Sequence, residues 1–277
     1  MIQWIAFLLF IFEYFLTTKS NQMDNLVHTR IVGGRVAQEH QFPFYVSLRD
    51  QGRERSFCGG SIISSHWVLT AAHCFKNESG YFRDPQAVEV VIGLNQLPDR
   101  SNNNLISENI IPVQKLVAFS KFMPQTFEND IVLLKTSGNL IKSTGIFSKA
   151  VRRARQEDGS FLGNHAIVMG HGEEWDGSGS GTKNLKFVDV KILDDYHCKS
   201  VHRYYNPLVQ LCAGILSGGS DSCRGDSGSP LVAKTQQGMI QVGIVSYGRG
   251  CARPGLPSVY TKIAYFESFI QHTIDNY

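Results

Sequence analysis

Three short segments of this chain carry side chains that could perform nucleophilic chemistry together. The first is Asp221-Ser222-Cys223-Arg224-Gly225-Asp226-Ser227-Gly228-Ser229-Pro230, which sets a serine between two glycines and beside an acid. A serine hydroxyl is a weak nucleophile; it needs a base for its proton and fixed donors for the oxyanion that its attack creates. Gly225 has no Cβ, so its N–H can approach a substrate carbonyl closely, and the N–H of Ser227 lies beside it. A histidine is supplied by Leu69-Thr70-Ala71-Ala72-His73-Cys74, and an acid by Asn129-Asp130-Ile131-Val132-Leu133-Leu134. That acid opens an apolar run, which predicts a partly buried carboxylate. Histidine, aspartate and serine in this order are the parts of an acyl-transfer catalyst.

The elements that must position these parts read mostly as strands. Short apolar runs with turn residues between them recur at 44–48, 61–63, 66–69, 87–92, 130–135, 165–169, 186–190 and 241–245. Many strands and almost no long helical pattern point to a barrel or a sandwich. The exception is the C-terminus, where Phe266, Phe269, Ile270 and Ile274 mark one apolar face of a helix that should pack on the body. The 277 residues, 42% hydrophobic and 18% charged, describe a compact globular chain with one large all-β domain or two ordinary ones. A net charge of +3, without interleaved basic and aromatic residues, gives no footprint for nucleic acid.

The apolar stretch from Met1 to Leu16 is shorter than the roughly 20 residues of a membrane span. It fits the core of a secretory signal peptide over residues 1–20, although no Lys or Arg precedes it. A secreted, extracellular protein without a membrane segment is expected; an uncleaved signal anchor is the alternative. The six cysteines, Cys58, Cys74, Cys198, Cys212, Cys223 and Cys251, fit disulfides in an exported chain, and sequence alone permits about 15 pairings. None has CxxC spacing, so no metal or redox cofactor is expected. Asn77-Glu78-Ser79 is a glycosylation sequon.

Taken together, the His73, Asp130 and Ser227 segments resemble the chymotrypsin/trypsin family of serine proteases, and the resemblance runs from Ile31 to Tyr277. It implies an all-β fold of two six-stranded antiparallel barrels with the active site in the cleft between them. His73 is then the general base and acid, Asp130 its orienting partner, Ser227 the nucleophile, and the N–H groups of Gly225 and Ser227 the oxyanion hole. The family pattern selects the pairing Cys58–Cys74, Cys198–Cys212 and Cys223–Cys251. It makes residues 31–277 the protease domain and 21–30 an activation propeptide. Cleavage after Arg30 would free the amino group of Ile31 to pair with Asp226, so the chain is expected to be a zymogen. Asp221, six residues before Ser227, maps to the base of the specificity pocket and implies cleavage after Arg or Lys. Ser246, Tyr247 and Gly248 map to the segment that pairs with the substrate backbone and forms one pocket wall.

The chain departs from that pattern at Ser258 and Ser229, where the family usually carries Gly, and at His171, where it usually carries Trp. Ser258 should narrow the pocket, Ser229 would strain the backbone if its φ were positive, and His171 reads as an altered packing residue. Arg224, Arg249 and Arg253 around the pocket rim imply a preference for acidic residues near the scissile bond. Leu94 stands where calcium-binding members begin their acidic loop, so no calcium site is expected. The implied partners are protein or peptide substrates, an activating protease and protein inhibitors, with a monomeric chain. A catalytically impaired homologue with a binding or regulatory role is the alternative, motivated by Ser229 and Ser258.

Overall fold

The computed structural model describes residues 33–76, 81–97, 107–143 and 147–277. The signal peptide over 1–20, the propeptide with Arg30, the Ile31 terminus and the Asn77 sequon lie outside the described residues. A two-residue strand β1 (Arg35–Val36) is followed by six strands: β2 (Tyr45–Asp50), β3 (Ser56–Ser64), β4 (Trp67–Thr70), β5 (Val88–Ile92), β6 (Ile110–Ala118) and β7 (Val132–Thr136). They close an antiparallel barrel in the order β2-β3-β4-β7-β6-β5. A short strand β8 (Arg152–Arg153) leads to the second set, β9 (His165–Gly170), β10 (Lys186–Leu193), β11 (Gln210–Gly214), β12 (Pro230–Thr235), β13 (Gly238–Tyr247) and β14 (Ser258–Lys262). These close in the order β10-β11-β14-β13-β12-β9 through the β9–β10 pairing, while β1 adds to β10 and β8 runs parallel to β13. The two expected six-stranded barrels are present.

Side-chain alternation explains the closure. Val88, Val90 and Ile92 of β5 point inward with Val46, Leu48, Ile62 and Val68. On β7, Val132 and Leu134 join this interior, whereas Leu133, together with Ile131 just before the strand, faces outward against Ile244, Ile263, Phe266 and Ile270. Both faces of that strand are buried, which is why its sequence is a continuous apolar run. Each such side chain contributes about 1.5–3 kcal/mol of burial. A seam cluster of Phe42, Phe44, Tyr45, Ile167, Met169 and Phe187 joins strands of both barrels.

Two helices complete the described residues. Helix α1 (Asp195–Val201) is capped by the Asp194 carboxylate, which accepts from the His197 N–H at 3.3 Å. Helix α2 (Glu267–Asn276) is the expected C-terminal one, with Phe266 and Ile270 buried and Phe119 edge-on to Phe266 and Phe269 at 5.2 and 5.1 Å. All three expected disulfides are formed. Among the described residues no helix is long and apolar enough to cross a membrane.

Candidate active site

His73 sits in a single 3-10 turn (Ala72–Cys74) just after β4, and Asp130 lies two residues before β7. The loop that delivers Asp130 is contorted: Phe127 has φ 55° and Asn129 φ 59°. Asn tolerates the left-handed region, but a bulky residue does not adopt it without support. Support comes from Asn129 Nδ2 donating to the Lys121 carbonyl at 2.9 Å, and from Gln210 Nε2 donating to the Phe127 carbonyl at 3.2 Å. The Asp130 side chain has no solvent exposure. Its Oδ1 accepts the His73 backbone N–H at 2.8 Å, and its Oδ2 meets His73 Nδ1 at 2.7 Å. A carboxylate partner assigns the proton to Nδ1 and leaves Nε2 free to act as a base. Burial pulls the His73 pKa down, but the charge of Asp130 and its hydrogen bond outweigh that, and the net shift is upward.

Two residues from the second barrel complete the Asp130 seat. Ser246 Oγ–H donates to Oδ2 at 2.6 Å, and Thr261 Oγ1–H donates to the Asp130 carbonyl at 2.9 Å. Ser246 lies at a register shift between Val245 and Tyr247 on β13, and such a bulge re-aims a side chain. The Ser246 hydroxyl is thus committed to Asp130, so any contact with a substrate would be through its backbone.

Ser227, half-buried, stands in a turn fixed by Asp226 N–H to the Cys223 carbonyl and Ser229 N–H to the Asp226 carbonyl, each 3.0 Å. Gly225 (φ 93°) and Gly228 (φ 78°) are left-handed, and a Cβ on Gly228 would fall 2.1 Å from Thr70 Oγ1. Ser229 is not among the positive-φ residues, so the strain anticipated there does not occur. The Ser227 carbonyl accepts the Gly59 N–H at 2.8 Å. Gly59 follows Cys58, whose disulfide leads to Cys74 beside His73, so this bond ties the serine turn to the histidine's barrel. Among the described residues, neither the Gly225 nor the Ser227 N–H has an acceptor, which leaves both for a carbonyl oxygen.

Asp226 is fully buried. Its oxygens accept the Gly172 and Cys223 N–H groups, both at 2.8 Å, and burial pushes its pKa to about 6. Among the described residues it has no cationic partner. Gly33, the first of them, packs on the Gly219 carbonyl, where a Cβ would come within 2.3 Å.

A cavity of about 190 Å³ opens beside Ser227, lined among others by Ser222, Ser246, Gly248 and Ser258. Asp221 lies under it, only 3% exposed. Ser222 N–H donates to its Oδ1 and Ser258 Oγ–H to its Oδ2, each at 2.8 Å. Burial pushes its pKa to about 7. A Cβ on Gly248 would sit 3.0 Å from Ser258 Oγ, so the hydroxymethyl narrows the cavity as expected. Tyr247 tilts against Phe127 at 5.2 Å, and Phe127 stands edge-on to His73 at 5.4 Å. Phe127 and Thr261 carry no motif of their own; only the nearness of Phe127 to Asn129-Asp130 in sequence could have signalled it. Of the three rim arginines, Arg253 is held by Asp176 at 2.6 Å. Arg224 and Arg249 are exposed and have no carboxylate partner among the described residues.

The family model described as Trypsin matches residues 31–270. The chain is 33% identical over 245 residues to cationic trypsin-3 of Rattus norvegicus, covering 88% of this chain and 90% of that one. It is 33% identical to trypsin of Sus scrofa, with 88% and 96% covered, and 34% identical to trypsin-1 of Astacus astacus, with 87% and 98% covered.

Proposed function

Because the chain belongs to the trypsin family of serine proteases, we propose that it is a secreted endopeptidase, made as a zymogen, that cleaves peptide bonds after Arg or Lys. The observation that carries the reading is the buried Asp130 carboxylate holding His73 through two hydrogen bonds at 2.8 and 2.7 Å. The roles follow the established scheme of this family. Ser227 Oγ attacks the scissile carbonyl while His73 Nε2 takes its proton. The oxyanion is received by the N–H groups of Gly225 and Ser227, and His73 returns the proton to the leaving amine. Water then repeats the sequence in reverse on the acyl-enzyme. Asp130 stabilises the imidazolium and fixes its orientation throughout.

Asp221 supports a basic specificity, since a buried carboxylate discriminates against apolar side chains and gains from a cation. Asp226, buried and holding only backbone donors among the described residues, supports a partner arriving as the Ile31 ammonium after cleavage at Arg30. The export signal and the disulfides support secretion, and the Asn77 sequon supports glycosylation. Protein inhibitors would compete for the same cleft.

The test is to cleave the purified precursor after Arg30 and measure kcat/KM on matched peptides with Arg, Lys, Phe or Leu before the scissile bond. Basic residues should lead by a wide margin, and Ser227→Ala should lower turnover by several orders of magnitude with folding intact. A parent preferring Phe or Leu would overturn the specificity, and an active Ser227→Ala variant would overturn the mechanism.

A further inference from the structure

Resting on the proteolytic reading above, we infer that Tyr45, His171 and Ser229 form one hydrogen-bonded unit, closed by a single internal water, that positions the turn carrying Gly225 and Ser227. Three buried polar atoms have no partner among the described residues in this region: Tyr45 Oη, His171 Nε2 and Ser229 Oγ. Their residues are 4%, 4% and 0% exposed. They converge. The Tyr45 and His171 rings lie 5.6 Å apart. A Cβ built on Gly59 would fall 2.1 Å from Ser229 Oγ and 3.1 Å from the Tyr45 ring, so both side chains close over the same glycine.

The chemistry of the three atoms matches a water site. His171 Nδ1–H donates to the Thr182 carbonyl at 3.2 Å, which leaves Nε2 as an acceptor. Burial holds this imidazole neutral, with its pKa lowered to about 4. The hydroxyls of Tyr45 and Ser229 can each donate or accept. Ser229 Oγ and the His171 backbone approach the Tyr45 hydroxyl without reaching hydrogen-bond geometry. A buried acceptor and two buried hydroxyls in one neighbourhood are what an internal water satisfies, typically with about three hydrogen bonds.

The unit grips the serine turn from two sides. Ser229 N–H closes the turn on the Asp226 carbonyl, and its own carbonyl accepts the Val245 N–H at 2.9 Å. His171 lies between Gly170 and Gly172, where a Cβ would fall 2.0 and 2.6 Å from the Asp226 carboxylate. The next residue along, Glu173, donates its N–H to the Arg224 carbonyl at 2.7 Å. Gly172 Cα itself stands 3.0 Å from where Gly225 would carry a Cβ. Two of the places where this chain departs from the family pattern, His171 and Ser229, are therefore halves of one arrangement, with Tyr45 as the third member. None of them touches the reacting atoms; they are positioning residues.

The test uses the activated enzyme with Ser229→Ala, His171→Phe and Tyr45→Phe, singly and together. Two inhibitors separate the turn from the pocket: a peptide aldehyde ending in Arg, which forms a tetrahedral adduct on Ser227, and an aryl amidine, which fills only the pocket. Each single variant should weaken the aldehyde and lower kcat by roughly tenfold, as for one lost hydrogen bond, with KM and amidine affinity unchanged. The triple variant should be no worse than the worst single, because members of a shared unit are non-additive. Additive losses, or equal losses for both inhibitors, would overturn the unit. Should a single variant fail to fold, Ser229→Gly replaces Ser229→Ala. Should the parent neither hydrolyse peptides nor bind the aldehyde, the proteolytic reading fails. The unit is then judged by thermal unfolding of the same variants, where additive shifts overturn it and non-additive ones support it.

Discussion

Asp130 gathers donors from both barrels, and each removes freedom from the imidazole it serves. Ser246→Ala deletes the 2.6 Å bond to Oδ2. A hydrogen bond to a charged group is worth about 1.5–3 kcal/mol, so kcat should fall roughly ten- to a hundredfold if the loss falls on the transition state. An unchanged kcat would show that Ser246 is a bystander. Asp221 carries a second residue-scale consequence. Burial keeps its carboxyl protonated up to a pH of about 7, so a bound cation must first displace that proton. The Kd of an aryl amidine should be constant above pH 7 and weaken by up to about tenfold per unit below it. A flat profile from pH 5 to 8 would refute the assignment of Asp221 as the cation's partner. The segments of His73, Asp130 and Ser227 could be singled out in the sequence because each is a contiguous motif, and the structure brings His73 and Asp130 into hydrogen-bond contact. The work of Ser246, Thr261 and Phe127 was not legible there, because it depends on partners far away along the chain.

The turn 223–229 is built around one buried carboxylate, Asp226, which accepts the Cys223 N–H at 2.8 Å. Asp226 has a pKa of about 6 in the fold against 3.8 for a free carboxyl, a group whose folded pKa is raised. Its stabilising contribution is fully present below pH 3.8 and is lost as pH rises through about 6, a loss of roughly 3 kcal/mol. In the intact precursor, unfolding free energy should therefore fall between about pH 4 and 6. Cleavage after Arg30 should remove much of that fall by supplying a cation. Denaturant titrations of both forms at pH 5 and pH 8 test this, with Arg30→Gln as the uncleavable control. Equal gains at both pH values would contradict the pairing of Ile31 with Asp226. Among the strands, those with branched or alternating runs, such as β5 and β9, could be read directly. β6 carries Pro112 in its interior, a signal that argues against a strand, and β12 follows the glycine-rich serine motif directly, beginning at Pro230, with its first four residues all buried and so without alternation. β11 is five residues ending in Gly214 and buried throughout, so it has no alternation to detect. Burial by neighbours overrode local propensity in each.

At the scale of the whole molecule, the mild net charge of +3 hides a local excess. Asp176 pairs with Arg253 and also feels the charge of Arg224, and Arg249 has no carboxylate partner among the described residues, so positive charge stays in excess at the rim. Peptides with Glu near the scissile bond should be cleaved a few-fold faster than their Lys counterparts at low salt. That advantage should shrink as the screening length drops from about 10 Å at 0.1 M to about 3 Å at 1 M salt. Insensitivity to salt and to Arg224→Ala with Arg249→Ala would remove the rim from specificity. Nothing in the sequence foretold how the barrels would be joined. Ser61 Oγ bonds Gln241 Oε1 at 2.7 Å, Thr261 reaches the Asp130 carbonyl, and the Gly59 N–H holds the carbonyl of Ser227. The last of these bonds makes chemistry contingent on assembly. A nascent chain whose barrels have each folded but not yet met carries His73 and Ser227 on separate bodies, so the proposed chemistry has to wait for the barrels to dock, ahead of any cleavage after Arg30.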